Sequence, residues 1–360
     1  MQNTLIKALF GMLLATTLLL AGCGQKEKAG RLARLQKADA KVMALHELKF
    51  LYRNIYSGTL LWIYIQTDND SKNALRNNIQ VEYLAMKDQW QRNYDVKEDV
   101  GFADMDTLID LATNAMGTLM TFEDYENDLR RAEGVALGER ATVVFDALEL
   151  RYDAILTKQD SLFGAQAAGI DDAAVKAIVD RHKKMISYYE IQDLTWEIRT
   201  RTLNWIYRPE DLRSKAALNK NIDVELQALL PPIRQRLGLE EEYSAMASML
   251  IARLDTLVTF SHSSVIHNLQ SKESYEDPLT MLLSEDAFET YINPAYQSAT
   301  QHLTLIRNHI QNPATPSAGE PNSSRTMEEE MDALRRIVAE QEARIKELEE
   351  ENQKLRSGDQ

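Results

Sequence analysis

Apolar positions along the chain recur at helical spacing, and the first clear run is "HELKFLYRNIYSGTLLWIYI". Leu48, Leu51, Ile55, Thr59 and Trp62 fall on one face at the i, i+3, i+4, i+7 interval. Leu194, Ile198, Thr202 and Trp205 repeat that register 143 residues later. The agreement continues without a gap from "LLWIYIQTDNDSKNALRNNIQVEYLAM" to "LNWIYRPEDLRSKAALNKNIDVELQAL", pairing Trp62 with Trp205, Tyr64 with Tyr207, Lys72 with Lys215 and Asn78 with Asn221. A further match, "GTLMTF" at 117–122 with "DTLVTF" at 255–260, lies at an offset of 138 and predicts a loop five residues shorter in the second copy. Self-similarity at so long a period reads as a tandem duplication.

Breaks in the pattern divide each copy. Thr67 with Asp70 reads as a capping box, and Pro209 followed by Glu210 and Asp211 as a first helical turn, at matching places. "DVKEDVGF" at 95–102, and Pro231, Pro232 and Gly238, end the next helix of each copy. Further helices are predicted over 104–131 and 138–162, then 241–270 and 284–311. Four helices per copy with short connections predict an all-α chain of two tandem up-and-down four-helix bundles, over 40–165 and 175–311. The segment "FGAQAAGIDDAAV" at 163–175 would join them.

Past Ile310 the chain turns to Pro, Ser and Thr, a linker over 312–326. Heptads follow over 327–356, with Met331, Val338, Ile345 and Asn352 at a, and Met327, Leu334, Gln341, Leu348 and Leu355 at d. The g–e′ pairs Glu330/Arg335, Arg344/Glu349 and Glu351/Arg356 are opposite in sign, which favours a parallel homodimer. Leu334, Val338, Ile345, Leu348, Asn352 and Leu355 form its interface, with a trimer or a heterologous partner as competitors.

The opening 22 residues pair a short basic start with an apolar run too short to span the ~30 Å hydrocarbon core. "LAGC" then ends at Cys23, the single cysteine in the chain. This resembles the lipobox of bacterial lipoproteins, and the resemblance implies a signal peptide over 1–22, acylation of Cys23 and a lipid-anchored chain with a helix lead-in over 23–39. An ordinary cleaved signal with an incidental cysteine is the alternative. Gly24 stands where an Asp, by the same resemblance, would favour the inner membrane; the outer membrane, facing the periplasm, is expected.

The net charge of −14 argues against nucleic-acid binding, which depends on basic side chains neutralising phosphates. One cysteine excludes an internal disulfide and any thiolate cluster. His46, His182, His262, His267, His302 and His309 do not recur between the copies, and none has the Glu at i−3 that di-iron bundles use. There is no GxSxG and no phosphate-binding glycine loop. No catalytic residue, metal or cofactor is expected.

What the duplication kept is more informative. Ala74, Asn78, Val81 and Ala85 form one stripe of the second helix, repeated by Ala217, Asn221, Val224 and Ala228. The Asn faces a neighbouring helix or a ligand. Trp62 and Trp205 read as core or as an aromatic ligand wall. Copy two alone gathers Arg199, Arg201, Arg208 and Arg213 around its Trp, a basic face or a site for anions, since guanidinium binds carboxylates bidentately. The ligand-site candidates are therefore Arg199, Arg201, Trp205, Asn221, Trp62 and Asn78.

"WIYIQTDNDSKNALRNNI" and "WIYRPEDLRSKAALNKNI", set in two helical modules, resemble the helical bimodular and four-helix-bundle sensor domains of bacterial chemoreceptors. The glycine of that family's turn is missing from both copies. The resemblance implies capture of a small organic acid between helices, without direct transduction. The expectation is a non-catalytic, sensor-like envelope lipoprotein; the alternative is a structural adaptor that recruits protein partners through the coiled coil.

Overall fold

The computed structural model describes residues 2–65, 69–94, 100–169, 172–208, 212–226, 228, 236–237 and 244–311, with side chains from residue 29 onward except at 69–71, 122, 212–214 and 244–246. The Cys23 side chain, the start signals at Thr67 and Pro209, the stop signals at 95–99 and at Pro231, Pro232 and Gly238, the linker and the heptads lie outside that description. All described secondary structure is helical. No helix among the described residues is long and apolar enough to cross a membrane.

Two long helices organise the molecule: α1, Gln2–Tyr64, and α7, Ala173–Tyr207. They run parallel and in register, so that a residue meets its own counterpart in the other copy. Asp39 bonds His182, His46 stacks on Tyr189, Trp196 donates to the Arg53 carbonyl, and Tyr64 stacks on Tyr207. Each of those pairs is 143 residues apart, and the first three recur every seven residues, the spacing of a coiled-coil seam. The two copies therefore meet as two chains of a parallel dimer would.

The first copy adds α2 (Asn69–Asn77), α3 (Tyr83–Asn93), α4 (Phe102–Thr118), α5 (Phe122–Glu126) and α6 (Asp128–Ala167). Helices α4 and α6 pack on α1 and on each other. The second copy adds α8 (Leu212–Lys220), α9 (Ser244–Phe260), α10 (Lys272–Glu276), α11 (Pro278–Ala287) and α12 (Asn293–Gln311), with α12 packed on α7 and α9. One apolar core runs through both copies, from Val42 to Ile310. A smaller one, Leu35, Phe163, Val175 and Ile178, closes the end where α1 and α7 begin to pair.

Three expectations change. The helix predicted over 104–131 stops at Thr118, because Thr121 and Asp124 form a capping box and Asn127 caps α6 through the Leu129 and Arg130 amides. Residues 163–167 and 173–175, expected in a connector, are helical, with Phe163 and Val175 buried. In copy two, Ser271 and Asp277 make the matching caps, with Pro278 in the first turn of α11. That places the copies at an offset of 150 here: the second copy has gained seven residues beyond 143, and the 138 match is coincidental.

The stripe drawn through Ala74, Val81 and Ala85 is also displaced. Asn78–Glu82 and Asn221–Leu226 are π-helical turns, each admitting an extra residue and so rotating the next stretch of helix about its axis. Leu75, Tyr83 and Trp90 are the buried residues, while Val81 and Val224 are 55% and 59% exposed.

Candidate functional site

Both tryptophans are committed to structure. The Trp62 indole donates to the Leu119 carbonyl and the Trp205 indole to the Leu269 carbonyl, each at 2.9 Å. Tyr125 donates to the Trp62 carbonyl and Tyr275 to that of Trp205. Lys72 lies over the Trp62 and Tyr125 rings, and Lys215 over Trp205 and Tyr275. The unit repeated in the sequence is this helix-end clasp. The partner tyrosines were not singled out in the sequence, although their "EDYEN" and "ESYED" surroundings repeat.

Polar chemistry is concentrated where α1 meets α7. Arg53 is only 2% exposed, and its guanidinium grips Glu149 of α6 through two bonds at 2.7 and 2.6 Å. Asp193 lies 2.9 Å and Glu197 3.4 Å from it on α7. Lys49, one turn earlier, bridges Asp153 and Asp193 at 2.9 and 3.2 Å. Burial alone would raise the Glu149 carboxyl, but the Arg53 hydrogen bonds and charge, with Lys49 and Tyr52, hold it below the ordinary range. The sequence signal for this network was present: basic Lys49/Arg53 on α1 and acidic Glu149/Asp153 and Asp193/Glu197 on the neighbours, every pair four residues apart on otherwise apolar faces.

Two of the six candidates belong to this network. Asn221 donates to Glu197 at 3.0 Å and to Glu225 at 2.8 Å, and Arg201 pairs with Glu197 at 2.9 Å. The Arg201 guanidinium is thus met by a carboxylate of its own helix.

The remaining two, Asn78 and Arg199, line a cleft of about 270 Å³ on the other side of the α1–α7 seam. Its floor is Phe50, Leu61 and Leu75. Asn54, Ser57, Asn78, Gln297, Tyr296 and Thr300 supply amides and hydroxyls. The buried Arg199 donates to Asn293 at 2.8 Å and reaches Ser57 at 3.5 Å, with its guanidinium 4.4 Å above the Tyr296 ring. Gly58 lets α2 close the cleft: a Cβ there would stand 3.2 Å from Leu75. Its counterpart in copy two is Arg201, whose side chain takes part in the Glu197 network.

The two sides of the seam are thus unequal. Arg53 is surrounded by Glu149, Asp193 and Glu197, whereas among the residues lining the cleft Arg199 is the one charged side chain. Tyr296 and Asn293, unremarked in the sequence, complete its setting. No group of acidic, histidine or cysteine residues suited to hold a metal is found among the described residues.

The chain matches no protein-family model, no curated protein and no solved structure. The described secondary structure is all-helical, and no family is identified by it.

Proposed function

We propose that the protein is a non-catalytic binding protein that takes up a small organic acid in the cleft between its two copies. The observation that carries this reading is the lining: one buried guanidinium, several neutral amides and hydroxyls, an apolar floor, and no carboxylate or lysine. A carboxylate beside Arg199 gains charge-assisted hydrogen bonds from its guanidinium. The volume lies below the roughly 300–1,000 Å³ of pockets for drug-sized ligands, so the ligand is of amino-acid or short dicarboxylate size.

Two tandem helical bundles then form a sensor-like body, lipid-anchored at Cys23 and held at the outer membrane facing the periplasm, with the 327–356 heptads pairing two copies in parallel. A second reading rests on those heptads alone: an adaptor in which the body is a spacer and the tail recruits a protein partner.

A thermal-shift screen against amino acids and organic acids separates the two. A ligand at a hundredfold excess over Kd stabilises a binder by about 2.7 kcal/mol. The binding reading requires a hit whose shift is lost in Arg199→Gln and kept in Arg201→Gln. A panel with no hit favours the adaptor.

A further inference from the structure

The end of the molecule where α1 and α7 begin to pair is basic. Because the helices run in register, residues 29–41 of α1 lie beside 172–184. The first segment carries Arg31, Arg34, Lys37 and Lys41, with Asp39 its one acid. The second carries Lys176, Arg181, Lys183 and Lys184 against Asp172 and Asp180. Asp39 is turned inward, 2.5 Å from Arg181 and 2.8 Å from His182. The two segments total +5 in a chain of −14, which leaves −19 on the remainder. Six of the eight basic residues are exposed, all but Lys41 and Lys184. The neighbouring helices leave the balance unchanged: α6 brings Lys158 with Asp160, and Arg307 of α12 pairs with Glu47.

We propose that this basic end docks on the headgroups of anionic phospholipids. Helix α1 is continuous from Gln2, so Cys23 precedes Arg31 by eight residues, roughly 12 Å along the axis at 1.5 Å per residue. With Cys23 acylated, the basic pole begins about two helical turns from the anchor and is held close to the leaflet; the inference rests on the proposed function only for that anchor. Basic side chains near an anionic leaflet are attracted within a Debye length, about 8 Å at physiological ionic strength. The acidic remainder is repelled by the same surface. Ser57 at the cleft lies roughly 40 Å beyond Arg31 along α1, away from this basic end.

The test uses the unacylated chain from residue 24, which keeps both apolar cores, since their earliest member is Leu32. It is sedimented with phosphatidylcholine vesicles, with and without phosphatidylglycerol, at low and high salt. Expected is binding to the phosphatidylglycerol vesicles alone, weakened by salt and lowered roughly a hundredfold by Arg31→Glu/Arg34→Glu/Lys183→Glu. Reversal of Arg130, Arg131 and Arg140 to Glu, on the α6 end that packs near Leu119 and Ile63, leaves binding unchanged. Circular dichroism confirms that both variants are folded. Absence of binding, equal binding to both vesicles, or equal loss in both variants overturns the proposal. Acylation is read separately, by mass spectrometry of Cys23 from the membrane fraction: an unmodified cysteine removes the anchor and leaves the vesicle result standing.

Discussion

At the residue scale, Arg53 has the largest structural role. Its buried guanidinium holds the half-buried carboxylates Glu149, Asp193 and Glu197, and without it Lys49 and Arg201 are the two cations left in the network for three carboxylates. Removing one partner of a buried ion pair costs about 3–5 kcal/mol. Chemical denaturation of Arg53→Ala should show a loss of that size; a loss below about 1 kcal/mol would mean that the network is solvated. His46 makes a second prediction. Its ring stacks on Tyr189, its Nδ1 is buried without a hydrogen-bond partner, and burial pushes its pKa from 6.5 down to about 4. Asp193 and Asp160 favour the charged form, and Lys49 and His182 oppose it. The unfolded chain binds a proton near pH 6.5 and the folded chain only near 4, so this group's stability contribution falls as the pH drops through that window. His46→Phe should flatten the pH dependence of the denaturation midpoint there. An unchanged slope would place the titration elsewhere.

At the element scale, the periodicity of α1 and α7 was legible because their core faces keep strict helical spacing through Trp62 and Trp205. The breaks were legible in part. Thr121 and Asp124 have the spacing of a capping box, but "GTLMTF" invited an alignment through apolar residues that bypassed it. The π turns at Asn78 and Asn221 left no mark in the composition, since an extra residue in a helix alters the register without needing a special side chain. The clasp gives the element-scale prediction. Trp62→Phe and Trp205→Phe each leave a buried carbonyl, Leu119 or Leu269, without its donor, at a cost of about 1–3 kcal/mol. Equal losses in the two variants fit two copies of one unit; a large loss in only one would show that the second indole has become dispensable.

At the scale of the whole molecule, the duplication was plain in the sequence, but its packing was not. Two copies in tandem can stack end to end or lie side by side, and only contacts between helices far apart in the chain decide. The pairs Asp39/His182, His46/Tyr189 and Tyr64/Tyr207 show them side by side and parallel. That arrangement creates equivalent places on either side of the seam. One is filled by Glu149, Glu197 and Arg201, and the other is the cleft beside Gly58 and Arg199. Arg199 and Asn78 could be picked out from the alignment of the copies; Tyr296 and Asn293, from a helix packed against them, could not. The tail has its own prediction. Sedimentation of the unacylated chain with and without residues 326–360 should show a dimer reduced to a monomer, whereas a monomer in both preparations excludes tail-driven pairing.

The central claim, a carboxylate held by Arg199 in the cleft, is tested most directly by calorimetric titration of any screened acid into the wild type, Arg199→Gln and Thr300→Trp. Thr300 lines the cleft and lies outside the apolar core, so a tryptophan there fills the ligand's place. The account predicts saturable binding to the wild type, at least a tenfold loss in Arg199→Gln from the missing charge-assisted bonds, and none detectable in Thr300→Trp. Unchanged affinity in both variants would contradict it.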